Sequence, residues 1–238
     1  MAIKSEKYLI ISDLQIPFEA EKALEFCQYI AKHFRIPASN IYNVGDEVDQ
    51  YFGGAWAKDP DAWHTPNSEL EESIHKLTLW YKAFPKMKIC TSNHGMRWAR
   101  KAAAAEIPSQ MIRKYQDVLH MPKGWVHKDE WRIKTRHPFR IIHGMGYSGQ
   151  RGACNAAIDA GISTAIGHLH SHGGINFLHT MGRDSGLNNT IWAMNTSSLI
   201  DEAKYAFQYG KYNRNKATLG IGAVFNSGAL PVLFPYDL

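Results

Sequence analysis

The sequence lacks the segments that would place the chain in a membrane or mark it for export. No apolar run approaches the roughly 20 residues that a membrane-spanning helix needs. The first apolar stretch, Tyr8-Leu9-Ile10-Ile11, is too short for the core of a signal peptide. We therefore expect a soluble, cytoplasmic protein with no membrane partner.

Cysteine is also scarce, and no segment of the chain is repeated or of low complexity. Cys27, Cys90 and Cys154 lie far apart, show no C-x-x-C spacing and have apolar neighbours. This argues for free, buried thiols and against a disulfide framework or a cysteine-based zinc site. No linker divides the 238 residues, so we expect a single domain over residues 1–238.

Positive charge is concentrated in the middle of the chain. Residues 82–140 contain 14 Lys or Arg against four Asp or Glu, whereas residues 1–81 contain seven against 13. Such a basic segment favours an anionic partner, although a solvated protein surface produces the same pattern.

The pattern of apolar residues differs between the two halves of the chain. In the first half, short apolar runs alternate with stretches whose apolar residues recur every three or four positions, which indicates alternating strands and helices. The second half is mostly strands. The predicted strands are 8–12, 41–44, 86–91, 131–135, 140–143, 164–167, 174–180, 190–195, 217–226 and 230–234, and the predicted helices are 23–34, 70–84, 98–106, 109–119 and 150–160. This pattern predicts an α/β fold with two packed mixed β-sheets flanked by helices, a four-layer α/β/β/α sandwich.

Five of the predicted strands run directly into side chains that can bind a metal. Loops at the carboxyl ends of neighbouring strands converge on one crevice, so these clusters can meet in space. They offer carboxylates, amide oxygens and imidazoles but no cysteine, which favours an open catalytic centre for divalent cations. The clusters are Asp13-Leu14-Gln15, Gly45-Asp46-Glu47-Val48-Asp49, Ser92-Asn93-His94, His143-Gly144 and Gly167-His168-Leu169-His170.

In this order the clusters resemble the motifs of the calcineurin-like metallophosphoesterase family, which are D-x-H, G-D-x-x-D, G-N-H-D/E, a lone His and G-H-x-H. The matching positions extend from Asp13 to His170, about two thirds of the chain. The resemblance implies the four-layer fold and an enzyme that hydrolyses phosphate esters with two metal ions and an activated water.

The resemblance also implies a role for each matching residue. Asp46 is expected to bridge the two cations. Asp13, Gln15 and His170 would complete one site, and Asn93, His143 and His168 the other. His94 is expected beside the substrate, as proton donor to the leaving oxygen or as a charge stabiliser. Arg97 is expected to bind the substrate phosphate, with a solvent-facing helix residue as the alternative.

Three positions depart from the family pattern. Gln15 stands where the family usually has His, and an amide oxygen favours Mn²⁺ or Mg²⁺ over Zn²⁺. Mn²⁺ is therefore the expected ion, with Fe, Zn or Mg as alternatives; a Gln here resembles the manganese-dependent diphosphatase branch of the family. Ser92 replaces a Gly. Gly95 replaces the carboxylate after the catalytic His, which removes a support for His94 if that carboxylate orients it.

Two features favour nucleic acid as the substrate. One is the basic middle third, and the other is the segment from Tyr205 to Lys216, where aromatic residues that suit stacked bases alternate with cations that suit phosphates. A nuclease or nucleic-acid phosphodiesterase acting on DNA or RNA is the leading hypothesis. The alternatives are a small nucleotide phosphodiesterase or diphosphatase, a phosphomonoesterase, and a catalytically silent metal- or DNA-binding module.

Overall fold

The computed structural model describes residues 6–181, 188–210 and 214–236. Two mixed β-sheets pack face to face with helices on their outer faces, which confirms the predicted fold class. The strands are β1 Tyr8–Ile11, β2 Ile41–Asn43, β3 Met87–Cys90, β4 Trp125–Lys128, β5 Glu130–Ile133, β6 Phe139–Ile142, β7 Ser163–Ile166, β8 Gly174–Met181, β9 Asn188–Asn195, β10 Gly220–Phe225 and β11 Leu230–Pro235. The helices are α1 Ala23–His33, α2 Pro66–Ala83, α3 Arg97–Ala104, α4 Tyr115–Val118 and α5 Gly152–Ala160.

Both sheets combine parallel and antiparallel strands. The first sheet has the strand order β11-β10-β1-β2-β3-β4, in which β1 to β4 run parallel, β10 pairs antiparallel with β1, and β11 pairs antiparallel with β10. The second has the order β5-β6-β7-β9-β8, in which β6, β7 and β9 run parallel. The loops that follow the parallel strands therefore lie at the carboxyl-end edge of each sheet, where ligands bind in such folds.

The core forms because successive residues of a strand point to opposite faces. In β1, Leu9 and Ile11 pack with α1 and α2 on one side of the first sheet. Tyr8 and Ile10 face the other way and pack with Phe139 and other residues of the second sheet. Alanines of α5 cover the far side of the second sheet, against β7 and β9. Each fully buried Leu or Ile stabilises this arrangement by roughly 1.5–3 kcal/mol.

One predicted helix is wrong, and one strand is absent from the predictions. Residues 109–119 form a 3₁₀ turn at Ser109–Met111 and the four-residue α4 in place of one helix. Met111 is exposed, so the first half of this segment has no apolar face to bury, and short helices without such packing are marginal. β4 has the sequence Trp-Val-His-Lys, in which only two residues are apolar and Val126 is exposed, so no apolar run marks this strand in the sequence.

The other predicted elements agree with the structure to within four residues. The largest difference is at α2, which begins at Pro66, four residues before the predicted start at residue 70. Thr65 explains this start, because its side chain accepts a hydrogen bond from the backbone N–H of Ser68 at 3.2 Å. The Ser68 hydroxyl lies 2.8 Å from the backbone nitrogen of Thr65, and this reciprocal cap with Pro at the first helical position is a recognised start signal.

Candidate metal centre

The five predicted clusters meet at one place in the fold. β1, β2 and β3 are parallel neighbours in the first sheet, and β6 and β7 are parallel neighbours in the second. The loops that follow these strands contact each other across the two sheets. The backbone N–H of His168 donates to Asp13 Oδ2 at 2.8 Å, and His143 Nδ1 lies 3.0 Å from the carbonyl oxygen of Val44.

The first group of candidate ligands surrounds Asp46. Asp46 Oδ2 lies 3.4 Å from His143 Nε2, which in turn lies 2.7 Å from Asn93 Oδ1. Ligand atoms of Asp46, His143 and His168 all lie within 4.8 Å of one another. The Nδ1–H of His143 donates to the Val44 carbonyl, which turns Nε2 toward the other ligands, as is typical of metal-binding histidines.

The second group consists of Asp13, Gln15 and His170. His170 Nε2 lies 3.0 Å from Asp13 Oδ2 and 3.2 Å from Gln15 Nε2. Asp13 and Gln15 are almost fully buried, yet Asp13 Oδ1 and Gln15 Oε1 have no hydrogen-bond partner. A buried oxygen without a partner costs about 1–3 kcal/mol. Carboxylate and amide oxygens of this kind are donors that a divalent cation accepts, so the residues fit a metal ion.

The backbone around the candidate ligands is strained. Gln15, Asp46 and His168 have φ angles of 48°, 51° and 67°, in the left-handed region that residues with side chains rarely adopt. Such strain costs about 1–3 kcal/mol per residue and concentrates at functional sites. Gly45 has a φ of 109°, and a Cβ added there would lie 3.0 Å from His143 Nδ1. The chain thus bends sharply to bring Asp46 to the imidazoles.

The carboxylates control the protonation of the imidazoles. Burial lowers the pKa of His143, but the adjacent Asp46 carboxylate outweighs it and raises that pKa to about 9. Burial also opposes the charged form of His170, yet the hydrogen bond to Asp13 raises its pKa. Burial would raise the pKa of Asp46, but two imidazoles hold it well below its usual value. Without a metal, protonated imidazoles thus balance the negative charge that a cation would balance when bound.

His94 forms a hydrogen-bonded pair with Arg97 next to the candidate ligands. His94 Nδ1 lies 2.8 Å from the backbone oxygen of Asp49, so Nδ1 carries the proton and Nε2 is the acceptor. Nε2 accepts from Arg97 Nη2 at 2.8 Å and lies 3.7 Å from Asp46 Oδ2. Burial, with the guanidinium adding to it, lowers the pKa of His94 to about 3.

Arg97 is half-buried and bound to the protein, so the solvent-facing alternative is wrong. Its Nη1 donates to the Asp49 carbonyl at 2.7 Å and to Asp49 Oδ1 at 3.0 Å. Burial raises the pKa of Asp49 to about 7, against the opposing charge of the guanidinium. Asp49 therefore orients both His94 and Arg97, and His94 has a support although Gly95 replaces the following carboxylate.

Two further residues hold the site together, and the sequence analysis assigns them no role. Asn195 Nδ2 donates to two carbonyls of the 169–172 segment at 2.7 and 3.1 Å, which fixes the loop of the last cluster. Glu47 Oε1 lies 2.9 Å from both the Tyr115 hydroxyl and His127 Nε2, which joins α4 and β4 to the Asp46 loop. Asn195 is the last residue of β9. It is a polar residue at the carboxyl end of a strand, like the residues of the five clusters, and this position is the sequence signal that identifies it.

A cavity of about 650 Å³ adjoins the candidate metal centre. Its volume lies in the range of pockets that bind small ligands. The lining also includes residues of the 51–59 and 200–208 segments and residues 215 and 217. The predicted site residues that line the cavity are Gln15, Asp46, Asn93, His94, Arg97, His168 and His170.

Two aromatic residues of the 205–216 segment, Tyr205 and Phe207, are buried and do not form an exposed surface for bases. Tyr205 and Phe207 are 4% and 6% exposed, and their rings pack edge-on against Phe18. The expectation that these two rings stack on nucleic acid is therefore wrong, because they belong to a core cluster. The side chain of Tyr209 and residues 211–213 lie outside the described residues.

Comparison with protein-family models and with curated proteins finds no match for this chain. Among the residues that the structure describes, no helix combines the length and apolar character needed to cross a bilayer. The functional assignment consequently depends on the side chains of the site, which come from loops as far apart in sequence as Asp13 and His170.

Proposed function

We propose that this chain is a two-metal phosphoesterase of the calcineurin-like metallophosphoesterase family that hydrolyses phosphodiester bonds. The observation that supports this proposal is that seven candidate ligands from five loops converge on one site. Two buried ligand oxygens in this site have no hydrogen-bond partner. Carboxylate, amide and imidazole donors suit hard or borderline divalent cations, and the two amide ligands favour Mn²⁺.

The candidate ligands divide into two sets that share Asp46. Asp13, Gln15 and His170 would hold one cation with Asp46, and Asn93, His143 and His168 would hold the other with it. When bound, the two cations supply Lewis-acid activation of a water and neutralise the charge of the phosphoryl group. Every one of these ligands comes from a loop at the end of a buried strand, which keeps the donors in place before the substrate arrives.

The remaining chemistry belongs to Arg97 and His94. Hydrolysis joins the oxygen of water to phosphorus and breaks the bond to the ester oxygen, which leaves with a proton. Arg97 donates its N–H groups to a phosphoryl oxygen. A phosphate anion beside His94 raises the pKa of this imidazole, so that Nε2 can deliver the proton to the leaving oxygen. Asp49 keeps Nδ1 in place during the transfer.

Nucleic-acid phosphodiesters are the proposed substrates. Arg97 and Lys58 line the cavity, and burial together with the charges of Arg97 and Lys101 lowers the pKa of Lys58, as expected for cations that lie close together. Such a cluster suits a polyanion. A small nucleotide phosphodiester or diphosphate is the second candidate, because the cavity volume of about 650 Å³ matches a small ligand.

A substrate panel in Mn²⁺ tests the proposal. It compares single- and double-stranded DNA, RNA, cyclic nucleotides, ADP-ribose, p-nitrophenyl phosphate and bis-p-nitrophenyl phosphate. The wild type and a His75→Ala variant, which changes an exposed histidine of α2, should turn over at least one substrate. His94→Ala should be slower by about 10²–10⁴-fold.

Each outcome of the panel has a distinct meaning. Cleavage of polymers by the wild type establishes a nuclease, and cleavage of small esters alone favours the second candidate. If no substrate is hydrolysed with Mn²⁺, Mg²⁺, Zn²⁺ or Fe²⁺, the enzyme proposal fails. The catalytically silent binding module then becomes the better explanation.

A further inference from the structure

Trp56 is a large apolar side chain exposed within the cavity of the candidate metal centre. It is 79% exposed and lines the same cavity as Asp46, His94 and Arg97. Tyr205 and the other aromatic side chains that line this cavity among the described residues are buried, so their faces are not open to a ligand. An exposed indole in a polar ligand cavity is a surface that a flat apolar group can cover.

Contacts with Tyr51 fix the backbone segment that carries Trp56. The Lys58 ammonium donates to the carbonyl of Tyr51 at 2.6 Å and to that of Gly54 at 3.1 Å, and it lies 4.6 Å from the centre of the Tyr51 ring. The backbone N–H of Asp59 donates to the Tyr51 hydroxyl at 2.5 Å. Hydrogen bonds on both sides of Trp56 in the sequence therefore fix the backbone segment that carries it.

We propose that Trp56 is a stacking platform for a nucleobase, so that the site recognises the nucleoside of its substrate as well as the phosphate. The inference rests on the proposed function, which places the phosphate at the metal ligands beside Arg97. Lys58, two positions after Trp56, lines the same cavity and supplies a cation for the adjoining phosphate. Stacking on an indole accepts every base, so this site selects nucleotides without choosing among their bases.

Trp63 provides a matched control for Trp56. It belongs to the same segment between β2 and α2 and is 64% exposed. Its ring lies 4.6 Å from that of Tyr205, edge-on, and Trp63 is not among the residues that line the cavity. Loss of an exposed indole in general would affect both variants, whereas loss of base stacking affects the Trp56 variant alone.

The test compares two diesters with the same leaving group, thymidine 5′-(p-nitrophenyl phosphate) and methyl p-nitrophenyl phosphate, hydrolysed by the Mn²⁺-loaded protein. Trp56→Ala should lower kcat/KM for the thymidine ester by about 5- to 150-fold, the range for loss of one stacked base. The methyl ester should be unaffected. Trp56→Phe, which keeps an aromatic face, should retain most of the activity, and Trp63→Ala should match the wild type on both esters.

An equal loss on both esters, or no loss on the thymidine ester, overturns the stacking proposal and leaves the proposed function intact. If the wild type hydrolyses neither ester, the full substrate panel decides the proposed function, and stacking is measured by fluorescence. Thymidine monophosphate should then quench the tryptophan emission of the wild type and of Trp63→Phe, but not that of Trp56→Phe. Equal quenching in all three proteins, or none in any, overturns the proposal.

Discussion

Binding of Mn²⁺ should stabilise the folded protein, because two buried ligand oxygens have no partner without a metal. Asp13 Oδ1 and Gln15 Oε1 each lack a hydrogen bond, and each such oxygen costs about 1–3 kcal/mol. Satisfying both recovers about 2–6 kcal/mol of the free energy of unfolding. For a chain of this size, 1 kcal/mol corresponds to roughly 2–4 °C, so saturation should raise Tm by about 5–20 °C.

The measurement is thermal unfolding of the chelator-treated protein with and without millimolar MnCl₂. Gln15→Met removes one orphaned oxygen at similar volume, so the metal-free variant should be at least as stable as the wild type. Its Tm should rise by about half as much when Mn²⁺ is added. Gln28→Met, on the exposed face of α1, is the matched control and should respond as the wild type does.

Two results would refute this reasoning. One is a Tm that does not change with Mn²⁺, Mg²⁺, Zn²⁺ or Fe²⁺, since the orphaned oxygens would then have another explanation. The other is an equal shift in the wild type and Gln15→Met, which would place the stabilising ion elsewhere.

Three further predictions concern catalysis, pH and packing. His94→Ala should retain the Mn²⁺-dependent rise in Tm while its kcat on bis-p-nitrophenyl phosphate falls by about 10²–10⁴-fold, since the imidazole acts on the substrate and not on the metal. Burial lowers the pKa of His127, but the hydrogen bond to the Glu47 carboxylate outweighs this effect and raises that pKa in the folded protein. This ion pair therefore stabilises the fold fully below the unfolded pKa of about 6.5, and the stabilisation is lost as pH rises through the folded pKa. His127→Phe should lower the free energy of unfolding, measured in urea, by about 2 kcal/mol near pH 6 and by less at pH 9. Gly167→Ala should lose at least about 1–3 kcal/mol and weaken Mn²⁺ binding in calorimetry, because a Cβ there would lie 2.3 Å from a valine methyl carbon and 2.4 Å from a ligand carboxylate oxygen. At Gly174 nothing lies within 4 Å of an added Cβ, so Gly174→Ala should leave metal binding unchanged.

The fold class and the strand ends that bring the candidate ligands together were readable from sequence because both depend on local patterns. An apolar run such as residues 8–11 forms a buried strand wherever a sheet can cover both faces, and the polar residues after it must lie at the strand end. Five such runs, each followed by metal-competent side chains, predicted one crevice. The structure brings Asp13, Asp46 and His143 together there.

The partners of individual side chains required the tertiary structure. Sequence spacing suggested that Gly95 deprives His94 of its support, whereas Asp49 supplies that support from another strand end, 45 positions earlier in the chain. Arg97 likewise forms an ion pair with this residue. Hydrogen bonds between loops of different strands have no local periodicity, so only the packing of the strands decides them.

Which aromatic side chains are buried also depended on the tertiary structure and not on the sequence pattern. Tyr205 and Phe207 alternate with polar residues and cations, a pattern that a stacking surface and a folded core loop share. The packing of Phe18 against both rings assigns them to the core, whereas Trp56, in a segment without any period, stays open to the cavity. The sequence by itself determined which strands form and which chemical groups follow them, because these depend on neighbouring residues. The tertiary structure alone decided which of those groups touch, because contact depends on how distant segments pack.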